Sequence, residues 1–378
     1  MKISILALHL NYGGVERCIA TLANILSEKY EVEIACSYKL NLEPAFKINS
    51  CVQIKYLTDV VPNENEFRGF MKRHRYLKAF REGIKSVHIL KLRKSTMVNY
   101  IKKCDSDVII ATRDIFDEWL GQYGRDGVLK IGWEHNHYHD SMKYADKIKF
   151  SCTNLDYLVL VSKSLEAFYR GKMRGTGCKC IYIPNVIDNM PKENEMSALD
   201  EKRLISVGRL SPEKGFLDLL KIFNIISHDY PDWHLDIIGD GPSRASLEKY
   251  IKHNKLEEKV TLHGFQDRNY IFNMMQTSSI YLMTSYTESF GIVLLEAMSC
   301  GLPCISFSSA EGANELIHSG SNGYLIKNRN FAAYIKKCED LINDKESRKK
   351  IGLEGRRTVS RFTSDMIRKE WFSILEKK

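Results

Sequence analysis

The chain has 378 residues, 44% of them hydrophobic and 27% charged, with a formal net charge of +9. That length suits two domains with a core each, at roughly 100–200 residues per domain. The composition excludes disordered, collagenous and coiled-coil chains, and no apolar run approaches the roughly 18–20 residues that span a bilayer.

Met1-Lys2 followed by Ile3 to Leu8 imitates a signal peptide. The stretch is short, however, lacks a small-residue cleavage site and runs into Asn11-Tyr12-Gly13-Gly14, so it reads as a first strand. Further β-branched runs follow at 32–36, 52–56, 108–111, 129–132, 157–161 and 180–183, with helix-period stretches between them such as Gly14–Ser27 and Lys163–Lys172. The polar stretch 189–202, with Pro191, reads as a linker. A second series has strands at 204–207, 234–238, 260–262, 280–283 and 303–307. Helical spacing of Phe362, Met366, Trp371 and Leu375 closes the chain.

Alternating strands and helices predict an α/β fold of two doubly wound, Rossmann-like domains with parallel sheets. The expected division is a domain over 1–188, a linker over 189–202, a domain over 203–360, and a helix over 361–378 packing back towards the first domain. Ligands in such folds bind outside the carboxyl ends of the strands, so both domains are expected to serve one site in a deep interdomain cleft. The ten cysteines form no paired CxxC knuckles with histidine partners, which argues against structural zinc and for a reducing cytoplasm.

Three motifs carry chemistry. Asn11-Tyr12-Gly13-Gly14-Val15-Glu16 follows the first strand and opens a helix. Its adjacent glycines allow close backbone approach, and the helix N-terminus offers free N–H groups to an anion. A plain strand-to-helix turn accounts for it equally, and neither a GxGxxG fingerprint nor a P-loop occurs. Gly208-Arg209-Leu210-Ser211-Pro212-Glu213-Lys214-Gly215 is the first turn of the second series. There Arg209 and Lys214 beside a helix start suit a diphosphate, although two solvated charges on a loop fit as well. Glu288-Ser289-Phe290-Gly291-Ile292 leads into an apolar helix that carries Glu296. A Glu at a helix start can be simple dipole complementation. Glu296, among Val293, Leu294, Leu295 and Met298, must find hydroxyl or amide donors to offset burial, and sugar or ribose hydroxyls would serve.

The combination of Gly13-Gly14, Gly208-Arg209 with Lys214, Gly239-Asp240-Gly241-Pro242, and Glu288 to Glu296 resembles glycosyltransferase family 4, which has the two-domain GT-B fold and retains anomeric configuration. The likeness is nearly continuous over 203–323; in the first half it is confined to Gly13-Gly14, the region of His135, and Pro184-Asn185. The resemblance implies that Arg209 and Lys214 hold the donor diphosphate and stabilise charge on the leaving nucleotide. It implies that Glu288 bonds the donor-sugar hydroxyls, beside the backbone N–H groups of Phe290 and Gly291, and that Glu296 holds the ribose. Gly13, Gly14, Gly208, Gly241, Phe265, Ser289 and Ile292 would line the donor site, with Glu16 and Asn185 on the acceptor side. Within Trp133-Glu134-His135-Asn136-His137-Tyr138-His139, His135 is the best match to the histidine that faces the donor sugar, while His137 or His139 would shape the loop. No metal site and no cofactor are implied, the nucleotide sugar being substrate. Asp105-Ser106-Asp107 reads as a helix-to-strand turn rather than a metal site.

Charge is unevenly spread. Residues 1–190 hold 29 Lys/Arg against 21 Asp/Glu, whereas 68–103 alone hold 12 basic residues and one acid, Glu82. Phe67, Phe70, Leu77, Phe80, Ile84 and Val87 recur at helical spacing, with Arg68, Lys72, Arg73, Arg75, Lys78 and Arg81 among them. A basic amphipathic helix suits an anionic membrane surface; a core helix with a cationic outer face is the alternative, and either way the apolar stripe is expected to bury against the sheet. Bacterial members of the resembled family often act on lipid-linked saccharides at the inner leaflet, so a peripheral, cytoplasmic enzyme of cell-surface polysaccharide, lipopolysaccharide or capsule synthesis is expected. A UDP-sugar is the expected donor, and the Trp-Glu-His segment, which resembles polysaccharide and lipopolysaccharide galactosyltransferases, tilts it towards UDP-galactose. A nucleotide-sugar epimerase and a non-catalytic partner subunit share the architecture. Nucleic-acid binding is disfavoured, since no module or aromatic–basic platform is present.

Overall fold

The computed structural model describes residues 1–138, 141–187 and 190–376, the Asn65 side chain apart. His139 and the first residue of the expected linker, Asn189, lie outside the described residues. By its contacts the chain divides into two compact units, Met1–Ile183 with Arg368–Lys378, and Pro184–Ile367.

The first unit is built on strands β1 (Lys2–Ala7), β2 (Glu31–Cys36), β3 (Gln53–Tyr56), β4 (Val108–Ala111), β5 (Leu129–Glu134), β6 (Tyr157–Leu160) and β7 (Lys179–Tyr182). They pair in parallel in the order β3-β2-β1-β4-β5-β6-β7. Its helices are α1 (Gly14–Ser27), α2 (Glu64–Lys72), α3 (Tyr76–Lys103), α4 (Asp114–Tyr123), α5 (Met142–Cys152) and α6 (Lys163–Lys172). The central strands are buried on both faces: β4 (Val-Ile-Ile-Ala) is a continuous apolar run, and β1 is buried from Ile3 to Ala7 with Ser4 as the polar residue among them.

The second unit has β8 (Arg203–Val207), β9 (His234–Ile238), β10 (Val260–Leu262), β11 (Ile280–Met283), β12 (Cys304–Phe307) and β13 (Tyr324–Ile326), parallel in the order β10-β9-β8-β11-β12-β13. Helices α7 (Phe216–Asp229), α8 (Arg244–His253), α9 (Arg268–Gln276), α10 (Ile292–Ser299), α11 (Glu311–Leu316), α12 (Phe331–Asn343) and α13 (Lys345–Val359) belong to it, and α14 (Ser364–Leu375) ends the chain. Leu235, Ile237, Phe223, Phe307 and Tyr334 are part of its core. Residues of the expected linker are fastened within this unit: Arg356 donates to the Pro191 carbonyl at 2.5 Å, and Ser197 N to the Cys300 carbonyl at 2.9 Å. The last turns of α14 count with the first unit, where Trp371 meets Trp133 edge-on at 5.2 Å and Arg368 pairs with Glu28 at 2.8 Å.

Each sheet reverses its direction of growth once, between β1 and β4 and between β8 and β11. Within each sheet the two loops leaving those strands diverge at the carboxyl ends, the place where doubly wound sheets bind ligands. Gly13-Gly14 and Arg113 follow β1 and β4, whereas Arg209 to Lys214 and Glu288 follow β8 and β11.

Two expectations are corrected. The basic stretch is not one helix: α2 ends at Lys72, His74 takes a left-handed φ of 55°, and α3 starts at Tyr76. Nor does its apolar stripe bury against the sheet. Leu77 is 85% and Phe80 67% exposed, Ile84 and Val87 are exposed too, and the buried residues of α3 are Ala79, Met97, Tyr100 and Ile101. Tyr100, in the last turns of α3, bonds Ser4 of β1 and Glu33 of β2, whereas in the first half Glu82 bonds Asn63 at the head of α2. Strand β13 has no counterpart in the sequence reading.

Candidate active site

The crevice of the second unit is assembled by backbone hydrogen bonds among the loops that leave the sheet. Gly208 N donates to the Ile238 carbonyl at 2.9 Å, Leu210 N to the Asp240 carbonyl at 3.0 Å, and Gly239 N to the Gly264 carbonyl at 2.8 Å. Gly239 has to be glycine: its φ is 139°, and a Cβ there would lie 1.9 Å from the Gly208 oxygen. Gly241 is close on Leu210, where a Cβ would lie 2.5 Å from the carbonyl oxygen.

The Arg209–Gly215 turn rests on the turn that follows β11. Tyr286 N donates to the Glu213 carbonyl at 2.8 Å, and Thr284 Oγ1 to the Gly215 carbonyl at 3.0 Å. This apposition brings together the two residues that the sequence reading gave separate roles: Lys214 Nζ lies 2.5 Å from Glu288 Oε2, both side chains being about a fifth to a quarter exposed. A cation and a carboxylate thus stand side by side at the switch point, one able to meet a phosphate oxygen and the other to accept from hydroxyls. Arg209 is largely exposed, and its guanidinium rests on Glu213 at 2.7 Å. Burial pushes the Glu213 carboxyl up, but the Ser211 hydroxyl and Arg209 outweigh it and hold it down at about 2, so Glu213 stays an anion.

Glu288 is fixed from behind. Gly312 N, in α11, donates to the Glu288 carbonyl at 2.7 Å, and Phe290 is buried against Phe362 at 5.6 Å. Gly291, left-handed at φ 90°, turns the chain into α10. Ser289 and Ile292 are half-buried beside it. Glu296 is buried on α10 as expected, yet the sequence reading missed the group that faces it: Arg268 Nε, from the start of α9, lies 3.6 Å from Glu296 Oε1. Phe265, 56% exposed, lies in the loop between β10 and α9, and Gly208 packs on Phe216. Asn185 is buried.

In the first unit, Glu16 is buried in the first turn of α1, and its Oε2 occupies the space where a Cβ on Gly13 would stand. Arg113, which caps α4, lies 2.8 Å from Glu16 Oε1, and His9 3.6 Å from it. His135 follows β5, its ring 4.2 Å from that of Trp133. Burial, with Arg113 adding to it, drops its pKa to about 3, so the imidazole is neutral; its Nε2 is enclosed with no hydrogen-bond partner among the described residues. The adjacent Glu134 is buried, accepting from Asn136 N at 2.6 Å and Tyr144 Oη at 3.2 Å. Burial lifts its carboxyl to about 7. His137 is buried and stacks on Tyr138, which in turn stacks on Phe168 at 4.0 Å. Asp105 and Asp107 lie at the other end of the sheet, on the ammonium and backbone N–H of Lys2 at 2.6 and 2.8 Å.

Two parallel-sheet, Rossmann-like units with their polar groups at the switch points define the GT-B fold. Residues 190–358, within the second unit, match the family of glycosyl transferases group 1. The chain is 30% identical over 223 residues to an uncharacterized glycosyltransferase of Haemophilus influenzae, 59% of this chain and 62% of that protein. It is 25% identical over 374 residues to the amylovoran biosynthesis glycosyltransferase AmsD of Erwinia amylovora, 97% of this chain and 96% of that one. Among solved structures, the lipopolysaccharide outer core galactosyltransferase WaaB in its apo form superposes with a TM-score of 0.68 at 20% identity, over 100% of both chains. The chain spans 36 to 62% of the length of four curated relatives that it matches.

Proposed function

We propose that the chain is a retaining, metal-independent glycosyltransferase of the family 4 type. It moves a hexose from a UDP-sugar, UDP-galactose being the first candidate, to a saccharide carried on a lipid, in the synthesis of cell-surface polysaccharide, lipopolysaccharide or capsule. The observation that carries the reading is the Lys214–Glu288 pair, 2.5 Å apart at the switch point of a sheet whose domain matches glycosyl transferases group 1. AmsD, by its name an enzyme of amylovoran biosynthesis, and WaaB, a galactosyltransferase of the lipopolysaccharide outer core, support the acceptor class and the sugar.

Lys214 and Arg209 hold the diphosphate and stabilise the charge that grows on it. Glu288 accepts from donor-sugar hydroxyls and fixes the ring, Glu296 takes the ribose, and neutral His135 bonds the sugar without adding charge. The acceptor hydroxyl attacks the anomeric carbon on the face from which the nucleotide leaves. The new C–O bond forms as the bond to the β-phosphate oxygen breaks, and that oxygen takes the acceptor proton. No cofactor takes part. Arg68, Lys72, Arg73, Arg75, Lys78 and Arg81, with the exposed stripe of α3, hold the protein to the anionic inner face of the plasma membrane, where a lipid-linked acceptor lies.

A panel of UDP- and GDP-sugars scored by nucleotide release tests the reading. Slow UDP release, accelerated by a lipid-linked saccharide, is the expected result; no release from any donor overturns it.

A further inference from the structure

Arg329 belongs to no motif, yet its guanidinium is engaged along both Nη atoms. Nη1 donates to the Ser285 carbonyl and to Ser309 Oγ, both at 3.1 Å. Nη2 donates to Asp218 Oδ2 at 2.7 Å and to the Thr284 carbonyl at 3.1 Å. Its carbon lies 3.7 Å from the centroid of the Tyr286 ring and 4.3 Å from that of Phe307. The Tyr286 hydroxyl donates to the same Asp218 oxygen at 2.7 Å. Asn328 and Arg329 hold left-handed φ values of 55° and 46°; such backbone is costly for two consecutive non-glycine residues and persists where the surroundings overdetermine it.

These bonds reach from Asp218 in the first turn of α7 to the Thr284–Tyr286 segment. That segment lies directly on the Lys214 turn: a Cβ on Gly215 would stand 2.1 Å from the Thr284 oxygen. We propose that Arg329 is a positioning residue for the transfer step, bracketing the segment that carries Glu288 against the turn that carries Lys214 so that the two side chains meet the donor in one fixed arrangement. The inference rests on the reading above. A largely buried ion pair adds little net stability over apolar packing, whereas a planar fork of donors fixes the directions of the carbonyls it binds.

The test compares R329A, R329K and Y286F with the parent chain by two measurements. With the donor that the parent turns over fastest in the panel, R329A is expected to lose at least tenfold in kcat, with the donor KM within threefold. R329K should recover a minor part, and millimolar guanidinium should raise R329A but not the parent. Independently of activity, amide hydrogen exchange over residues 284–291 is expected to accelerate at least tenfold in R329A and measurably in Y286F, with exchange in the first unit unchanged. Unchanged exchange over 284–291, or unchanged kcat in a folded R329A, overturns the proposal. Where R329A does not fold, the exchange of Y286F decides. A parent that releases no nucleotide from any donor refutes the transferase reading, while the exchange result still decides the bracket.

Discussion

Glu288 was legible as a residue: a carboxylate three positions before Gly291, at the head of an apolar helix, stands out in one sequence. Its ion pair with Lys214 was not, because 74 residues separate the two. The proposed front-face transfer makes Glu288 a positioning group and not a nucleophile. Glu288→Gln is therefore expected to lower turnover by two orders of magnitude or more with no glycosyl-enzyme formed, and a sugar adduct in intact-mass analysis would refute it. Arg268 and Arg329 carry no local signal at all, since what they do depends on α9 and on the loop after β13 lying beside segments remote in the chain. Glu134 gives a pH prediction of its own. Its neighbours are Asp114, whose charge also opposes ionisation, the buried Asp117, which burial holds towards its neutral form, and Tyr144 and Asn136, which donate to it. A carboxyl with an ordinary value of 4.5 raised to about 7 in the folded chain favours folding below 4.5, and that contribution is lost as pH rises through 7. The shift corresponds to about 3 kcal/mol. Melting temperature against pH is expected to fall across that window in the parent chain and to be flatter in Glu134→Gln.

At the scale of elements, the strands and helices that line the two crevices were legible because parallel sheets buried on both faces leave long β-branched runs punctuated by helix-period stretches. Gly14–Ser27 and Lys163–Lys172 are helices over the expected residues. What the alternation left open was how the loops lock together. The loops after β8, β9 and β10 join through backbone groups, which carry no side-chain signature. Gly239 is where that locking is tightest. Gly239→Ala is expected to cost about 2 kcal/mol or more, as strain at a special backbone conformation does, and to weaken the proposed UDP binding by displacing the Arg209 turn. Calorimetry on UDP and a thermal melt check both effects; unaltered UDP affinity would show that the loops are independent.

At the scale of the whole molecule, the net charge of +9 is a sum over unlike regions. The excess lies in α2 and α3, where the exposed stripe of Leu77, Phe80, Ile84 and Val87 is flanked, one residue on, by Lys78, Arg81 and Lys85. Among the described residues no helix is long and apolar enough to cross a membrane. An amphipathic helix lying in the interface gains from each buried apolar side chain and about 1 kcal/mol from each basic residue near anionic lipid. Vesicle sedimentation should therefore show binding that rises with anionic lipid and falls at least tenfold in an R73E/R75E/K78E triple variant. L77S/F80S should weaken binding at every lipid composition. Binding indifferent to both sets would remove the membrane from the proposal.

The alternation of strand and helix, the glycines at the turns and the Glu288–Glu296 spacing are local properties, set by backbone sterics and by periodicity within a few turns, and the sequence alone determined them. The Lys214–Glu288 pair, the Arg329 bracket, the Arg268–Glu296 approach and the exposure of the α3 stripe were decided by tertiary structure. Each depends on which remote segment lies opposite, and no residue type or short spacing encodes that.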